Sequence, residues 1–144
     1  NTIWRNNGDP GVCTQLFCLN KALNGIDCYY EIQLPDYFFI GHLVGIVLAK
    51  AVYGNYLVLY QNSTVGKGHG LDYGVAPVLE EGVVMYAGAA IIGRCRVAKN
   101  TVISQGASLI NRNTPGDCIV YAGSPGKPIF APPMKNVLED FFRI

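Results

Sequence analysis

No run of apolar residues in this chain of 144 approaches the ~18 uninterrupted positions that a membrane-spanning helix needs, and the opening Asn1-Thr2-Ile3-Trp4 has no signal-peptide pattern. Charge is scarce and balanced. Eleven Lys plus Arg against ten Asp plus Glu leave a net +1 with no basic run, which removes the electrostatic case for nucleic acid or an anionic membrane. The five cysteines, Cys13, Cys18, Cys28, Cys95 and Cys118, are odd in number and lack CxxC spacing; reduced thiols in a cytoplasmic setting, serving as structural filler, are expected. Two histidines, His42 and His69, are too few for a three-imidazole zinc site, and no metal is expected. The half-apolar composition excludes disorder, the length suits one ordinary domain, and a chain that opens on Asn rather than Met is expected to be truncated or trimmed.

What the chain does have is a beat. Leu79, Met85, Ile91, Val97, Ile103 and Leu109 stand six positions apart, and four positions after each of the first five comes a compact residue: Val83, Ala89, Cys95, Thr101 and Ala107. With Leu, Ile, Val and Met in 40 of 144 positions, six in a row at one phase arise by chance about once in two thousand trials. An earlier block reads in the same period as Leu34, Ile40, Ile46, Val52, Val58 and Thr64. Neither a helix nor an alternating strand has this period, but a triangular coil of about 18 residues does: each hexad is one flat side, its aliphatic residue pointing to the axis and its small residue filling the turn. Gly82, Gly88, Asn100 and Gly106 stand just before the small position, where a corner needs unusual backbone angles. Stacked coils form a parallel β-helix. Between the two blocks lies the glycine-rich interval from Gly66 to Gly74, read as a loop pushed out of one corner over residues 67–77; such loops often carry function.

The ends read differently. Asp9-Pro10 looks like a helix start, Val12, Leu16, Leu19 and Leu23 fall at helical spacing, and Asn24-Gly25 stops them. Residues 1–27 are therefore expected as an N-terminal helical segment and residues 28–130 as the solenoid. Residues 131–144 are expected as a C-terminal helical cap, Val137, Leu138, Phe141 and Phe142 packing on the solenoid end. The aromatic set Tyr29, Tyr30, Tyr37, Phe38 and Phe39 covers the first coil, lines a pocket or packs on the preceding helix, with the first expected.

Four segments, Ile40 to Val47, Tyr60 to Gly66, Glu81 to Ala89 and Ala122 to Lys127, resemble in content, order and separation the serine acetyltransferase branch of the hexapeptide-repeat acyltransferases. The similarity spans about two-thirds of the chain. It implies a mainly β fold, a left-handed parallel β-helix assembled as a homotrimer, and acetyl transfer from acetyl-CoA to a hydroxyl of a small acceptor. His42 matches the general base, and imidazole titrates near the working pH. The family's supporting aspartate lies one coil earlier, where an ungapped count gives Asp27, with Glu31 and Asp36 as alternatives if a gap intervenes. Ala87 and Gly88 match the place where the thioester passes and a backbone amide stabilises the oxyanion. Ser104, Gly106 and Ala107 match positions along the pantetheine arm, and Lys127 the basic residue near the phosphates. The family's serine-recognition groups are absent: Gly41 stands where an acidic residue is expected, Val75 and Ala76 where an Arg-His pair is. His69 is the candidate replacement, its alternative being a solvated loop histidine. The acceptor is thus a serine-like amino acid or, favoured by those losses, a sugar. A catalytically silent trimeric scaffold is the competing reading.

Overall fold

The computed structural model describes residue 6 and residues 8–70, 73–124 and 127–144. Helix α1 (Pro10–Asn24) is followed by β1 (Asp27–Cys28), β2 (Phe38–Ile40), β3 (Val47–Leu48), β4 (Val52–Tyr53), β5 (Leu57–Leu59), β6 (Thr64–Gly66), β7 (Val78–Leu79), β8 (Val84–Met85), β9 (Ala90–Ile92), β10 (Arg96–Val97), β11 (Thr101–Ile103), β12 (Ser108–Ile110), β13 (Cys118–Tyr121) and β14 (Ile129–Ala131), with a 3-10 turn at Val137–Asp140. The strands stack into three faces. Face one is β1-β3-β6-β9-β12, face two β2-β5-β8-β11-β13 with β14 added antiparallel, and face three β4-β7-β10. All other pairings are parallel, as in the expected left-handed β-helix, and they bring like positions together: Leu59 and Ile103 flank Met85, and Ile91 lies beside Leu109. Among the described residues no helix is long and apolar enough to cross a membrane.

The second block of hexads packs as its spacing dictates. Leu79, Met85, Ile91, Val97, Ile103 and Leu109 line the axis, each no more than 1% exposed, and the compact residues between them are buried at the turns. The corners enter the left-handed region at Gly82, Gly88, Gly93, Asn100, Gly106 and Asn111. Where the compact residue is polar, its side chain reaches the carbonyl three positions back: Ser63 to Tyr60, Cys95 to Ile92 and Thr101 to Ala98. A buried hydroxyl or thiol is thus satisfied inside its own turn.

The first block keeps the expected phase at Leu34 and Ile40, which pack against the axis, and departs from it after the His42 turn. Val52 is 60% exposed, Thr64 is half-buried, and Val58 belongs to a second apolar cluster outside the axis. The axial residues are Leu48, Tyr53, Leu59 and Val65, with Ile46 taking a buried turn position. The reason is local. Six residues, 41–46, join β2 to β3, whereas four, 60–63, join β5 to β6, and Tyr53 follows Leu48 by five positions rather than six, so the beat slips by one in all after passing His42. Tyr53 fills an axial site with a ring whose hydroxyl donates to Ala49 O at 2.7 Å, and burial raises its pKa.

The helix expected between Asp9-Pro10 and Asn24-Gly25 forms within those bounds. Asp9 caps α1 by accepting from Gly11 N at 2.6 Å, and Gly25 ends the helix at φ +68°. Its apolar stripe, Val12, Leu16, Leu19 and Leu23, faces solvent, and the buried contacts are Cys13 and the edge of Phe17 on Tyr29. The short C-terminal helical element is a 3-10 turn, and the tail packs against the outside of face two rather than on the solenoid end. Leu138 and Phe142 join Val58, Val84 and Val102, while Phe141 meets Phe39. The aromatic set divides accordingly, Tyr29 on the helix, Tyr37 on Tyr56 and Phe39 under the tail.

Two outcomes follow from this packing. Leu59→Ala is expected to cost about 2–5 kcal/mol and Val52→Ala less than about 0.5 kcal/mol in urea unfolding, a contrast that reverses if the hexads run in their expected phase. Cys18 is exposed while Cys13, Cys95 and Cys118 are buried, and burial raises the Cys95 thiol pKa. Mass-spectrometric labelling of the native protein with iodoacetamide near neutral pH should therefore modify Cys18 first and leave Cys95 last.

Candidate active site

The turns from face two to face one stack into a single edge. Residues 41–46, 60–63, 86–89 and 104–107 form successive turns, tied by Asn62 N donating to Val44 O (2.9 Å), Gly88 N to Gln61 O (3.0 Å) and Gly106 N to Ala87 O (3.0 Å). At the top of the same edge the chain leaves β13, and Lys127 N donates to Ser124 O at 2.8 Å. Pro125 and Gly126 of the segment that resembles the family lie outside the described residues. His42, Ala87, Gly88, Ser104, Gly106, Ala107 and the exposed Lys127 thus share one edge, in chain order from bottom to top.

His42 stands in the enlarged turn. The two additional residues push this segment outward, and the imidazole is exposed, its ring 6.1 Å from that of Tyr60 at 68°. Tyr60 in turn lies against Tyr86, tilted by 33° at 5.4 Å, and meets Phe141 of the tail edge-on (6.1 Å), so the tail supports the ring beside the histidine. Gly45 closes the turn at φ +76°, where a Cβ would run into the Asn62 side chain of the next coil. Gly41 is constrained differently: a Cβ there would lie 2.8 Å from the Tyr60 ring. The ring occupies the space into which an acidic side chain at position 41 would project.

The three candidate carboxylates separate in space. Asp27 lies on the coil beneath, its N–H donating to Ile46 O at 2.8 Å at the exit of the His42 turn, and its carboxylate accepts from Lys21 Nζ at 2.6 Å. Glu31 is bound to Lys50 at 3.3 Å, at the edge between faces one and three. Asp36 sits at the remaining edge, where its N–H donates to Asn55 Oδ1 at 3.0 Å. No hydrogen bond joins His42 to any of them among the described residues.

The glycine-rich loop leaves from the edge between faces one and three, joining β6 to β7, with Leu71 and Asp72 outside the described residues. It is pinned by Gly68 N donating to Val75 O at 2.8 Å. His69 is exposed and Ala76 half-buried, on a loop that leaves from a different edge from the one that carries His42.

At the Ala87-Gly88 turn the backbone donors are unequally committed. Gly88 N–H is spent on Gln61 O, while Ala87 N–H has no partner among the described residues. Sequence reasoning gave Tyr60 and Gln61 no role of their own and read Phe141 as apolar cover, not as a neighbour of Tyr60. Tyr60 and Gln61 lie within a segment that drew attention as a whole, but their place beside His42 depends on which turns stack.

No family model matches the chain. By sequence it is 35% identical over 123 residues to a serine acetyltransferase of Synechococcus elongatus, covering 84% of this chain and 49% of that protein. Serine acetyltransferase isoform 3 of Entamoeba histolytica in complex with cysteine superposes with a TM-score of 0.69 at 28% identity, over 85% of this chain and 44% of that one. The serine acetyltransferase of Vibrio cholerae shares the fold, with a TM-score of 0.78 at 23% identity over 94% of this chain and 52% of that one. The chain spans about half the length of these curated and solved relatives, from 44% to 52%.

Because the Tyr60 ring fills the space next to Gly41, Gly41→Asp is expected to destabilise the chain by about 1–3 kcal/mol in urea unfolding, and adding Tyr60→Ala should relieve part of that cost.

Proposed function

We propose that this chain, serine acetyltransferase-like in sequence and fold, is an acetyl-CoA-dependent O-acetyltransferase with His42 as general base. One observation carries the reading: the imidazole, the Ala87-Gly88 turn and Lys127 follow one another along a single edge of the solenoid. An extended thioester with an anionic far end is a ligand of that shape.

In this mechanism the acceptor hydroxyl gives its proton to His42 as its oxygen attacks the thioester carbonyl carbon. The tetrahedral oxyanion takes a hydrogen bond from Ala87 N–H, the carbon–sulfur bond breaks, and the imidazolium returns the proton to the departing sulfur. The products are an acetyl ester and free coenzyme A. Small residues at Gly88, Gly106 and Ala107 let the pantetheine arm lie close to the backbone with Ser104 beside it, and Lys127 supplies charge to the phosphates.

Asp27 is the carboxylate assigned to steady the His42 tautomer, which requires Lys21 to yield it. Glu31 and Asp36 are held at the other two edges. A homotrimer brings a neighbour's loop, with His69 and Ala76, against the His42 edge, and a supply of acetyl-CoA suits a cytoplasmic setting. The relatives' names favour serine as acceptor. Gly41, Val75 and Ala76 favour an acceptor without a zwitterion to recognise, such as a sugar hydroxyl.

Thiol release from acetyl-CoA, measured with serine, homoserine and a panel of sugars, tests the proposal. Activity with at least one acceptor is expected, falling roughly 10²–10⁴-fold in His42→Ala while coenzyme A affinity is retained. If wild type and variant are equally silent and coenzyme A does not bind, the chain is a scaffold.

A further inference from the structure

Gln61 is a polar side chain that the fold does not use. Its Oε1 is sealed from solvent without a hydrogen-bond partner, and its Nε2 donates to nothing among the described residues. An unpaired buried amide oxygen is destabilising, so its retention calls for an explanation. The backbone places it closely. Below, Gly41 N donates to Leu59 O and Asn62 N to Val44 O, which sets Tyr60 and Gln61 on the turn directly above His42. Above, Gly88 N donates to Gln61 O, which sets Gln61 beneath the Ala87-Gly88 turn.

The same bond removes Gly88 N–H as an oxyanion donor and leaves Ala87 N–H alone on the backbone. Since only the oxygen end of the carboxamide is sealed, its N–H pair is the end a ligand meets.

We propose that Gln61 is a catalytic residue that donates from Nε2 to the thioester carbonyl oxygen, supplying with Ala87 N–H a two-donor oxyanion site opposite His42. The inference rests on the acetyltransferase reading above. The step is the one already written, with the negative charge on the former carbonyl oxygen shared by two N–H groups until the carbon–sulfur bond breaks.

Isotope-edited infrared spectroscopy of acetyl-CoA labelled with carbon-13 at the carbonyl tests this without knowledge of the acceptor. Bound to the wild-type chain, the carbonyl band should move to lower frequency than in free acetyl-CoA, and in Gln61→Met much of that shift should disappear while coenzyme A affinity stays within about threefold. With an active acceptor, thiol release should fall roughly 10²-fold. Gln61→Glu keeps the shape without the donor and reads the same way if Gln61→Met does not fold. An unchanged band in a variant that still binds acetyl-CoA overturns the role of Gln61 alone. A wild-type chain that binds no acetyl-CoA overturns the acetyltransferase reading together with it.

Discussion

Each coil of the solenoid has to change direction sharply within a few residues, and an L-residue backbone does this by entering the left-handed region of φ. Gly45, Asn62, Gly88 and Gly106 do so one above another along the His42 edge, at φ +76°, +60°, +70° and +68°. Once these residues stack, the amides around them are committed to the coils above and below, and the axial side chains fall into register. The turn also determines which backbone groups remain for a ligand. Along this edge that is a short inventory, because a parallel stack spends most of its N–H groups on its own ladder.

Where successive coils have the same length, sequence and structure agree closely. From Leu79 to Leu109 nothing is added or lost between hexads, so a fixed period in the sequence is a fixed position in space. The first coil breaks that equivalence by adding two residues at the turn that bears His42 and dropping one between Leu48 and Tyr53. The period then points to Val52 and Val58, while the axis is filled by Tyr53 and Leu59. Phe141 and Phe142 were legible as apolar residues seeking cover, but the surface covering them, the outer side of face two with Val58 and Val84, exists only when the strands pair.

The candidate site was legible through likeness rather than through periodicity. His42, Ala87, Gly88, Gly106 and Lys127 are far apart in the chain, and only stacking turns them into one edge. The same stacking separates His69, whose loop leaves from another edge. Tyr60 and Gln61 carry no signal of their own in one dimension, since a tyrosine and a glutamine before a turn are ordinary residues. Their interest comes from neighbours on adjacent coils: the His42 ring for one, the Ala87-Gly88 turn for the other.

The reversal between β13 and β14 has a consequence for the whole particle. A stack of parallel coils presents open main-chain donors and acceptors at its last rung, an invitation for another copy to continue it into a fibre. Pairing Ile119 with Ala131 and Tyr121 with Ile129 turns the final strand of face two back on itself. On face three, where among the described residues no further strand follows β10, Asn113 and Thr114 side chains take up the N–H groups of Arg96 and Ala98 at 2.8 and 2.9 Å. Along these two faces the main-chain groups of the last rung are taken up within the chain itself rather than offered to a further copy.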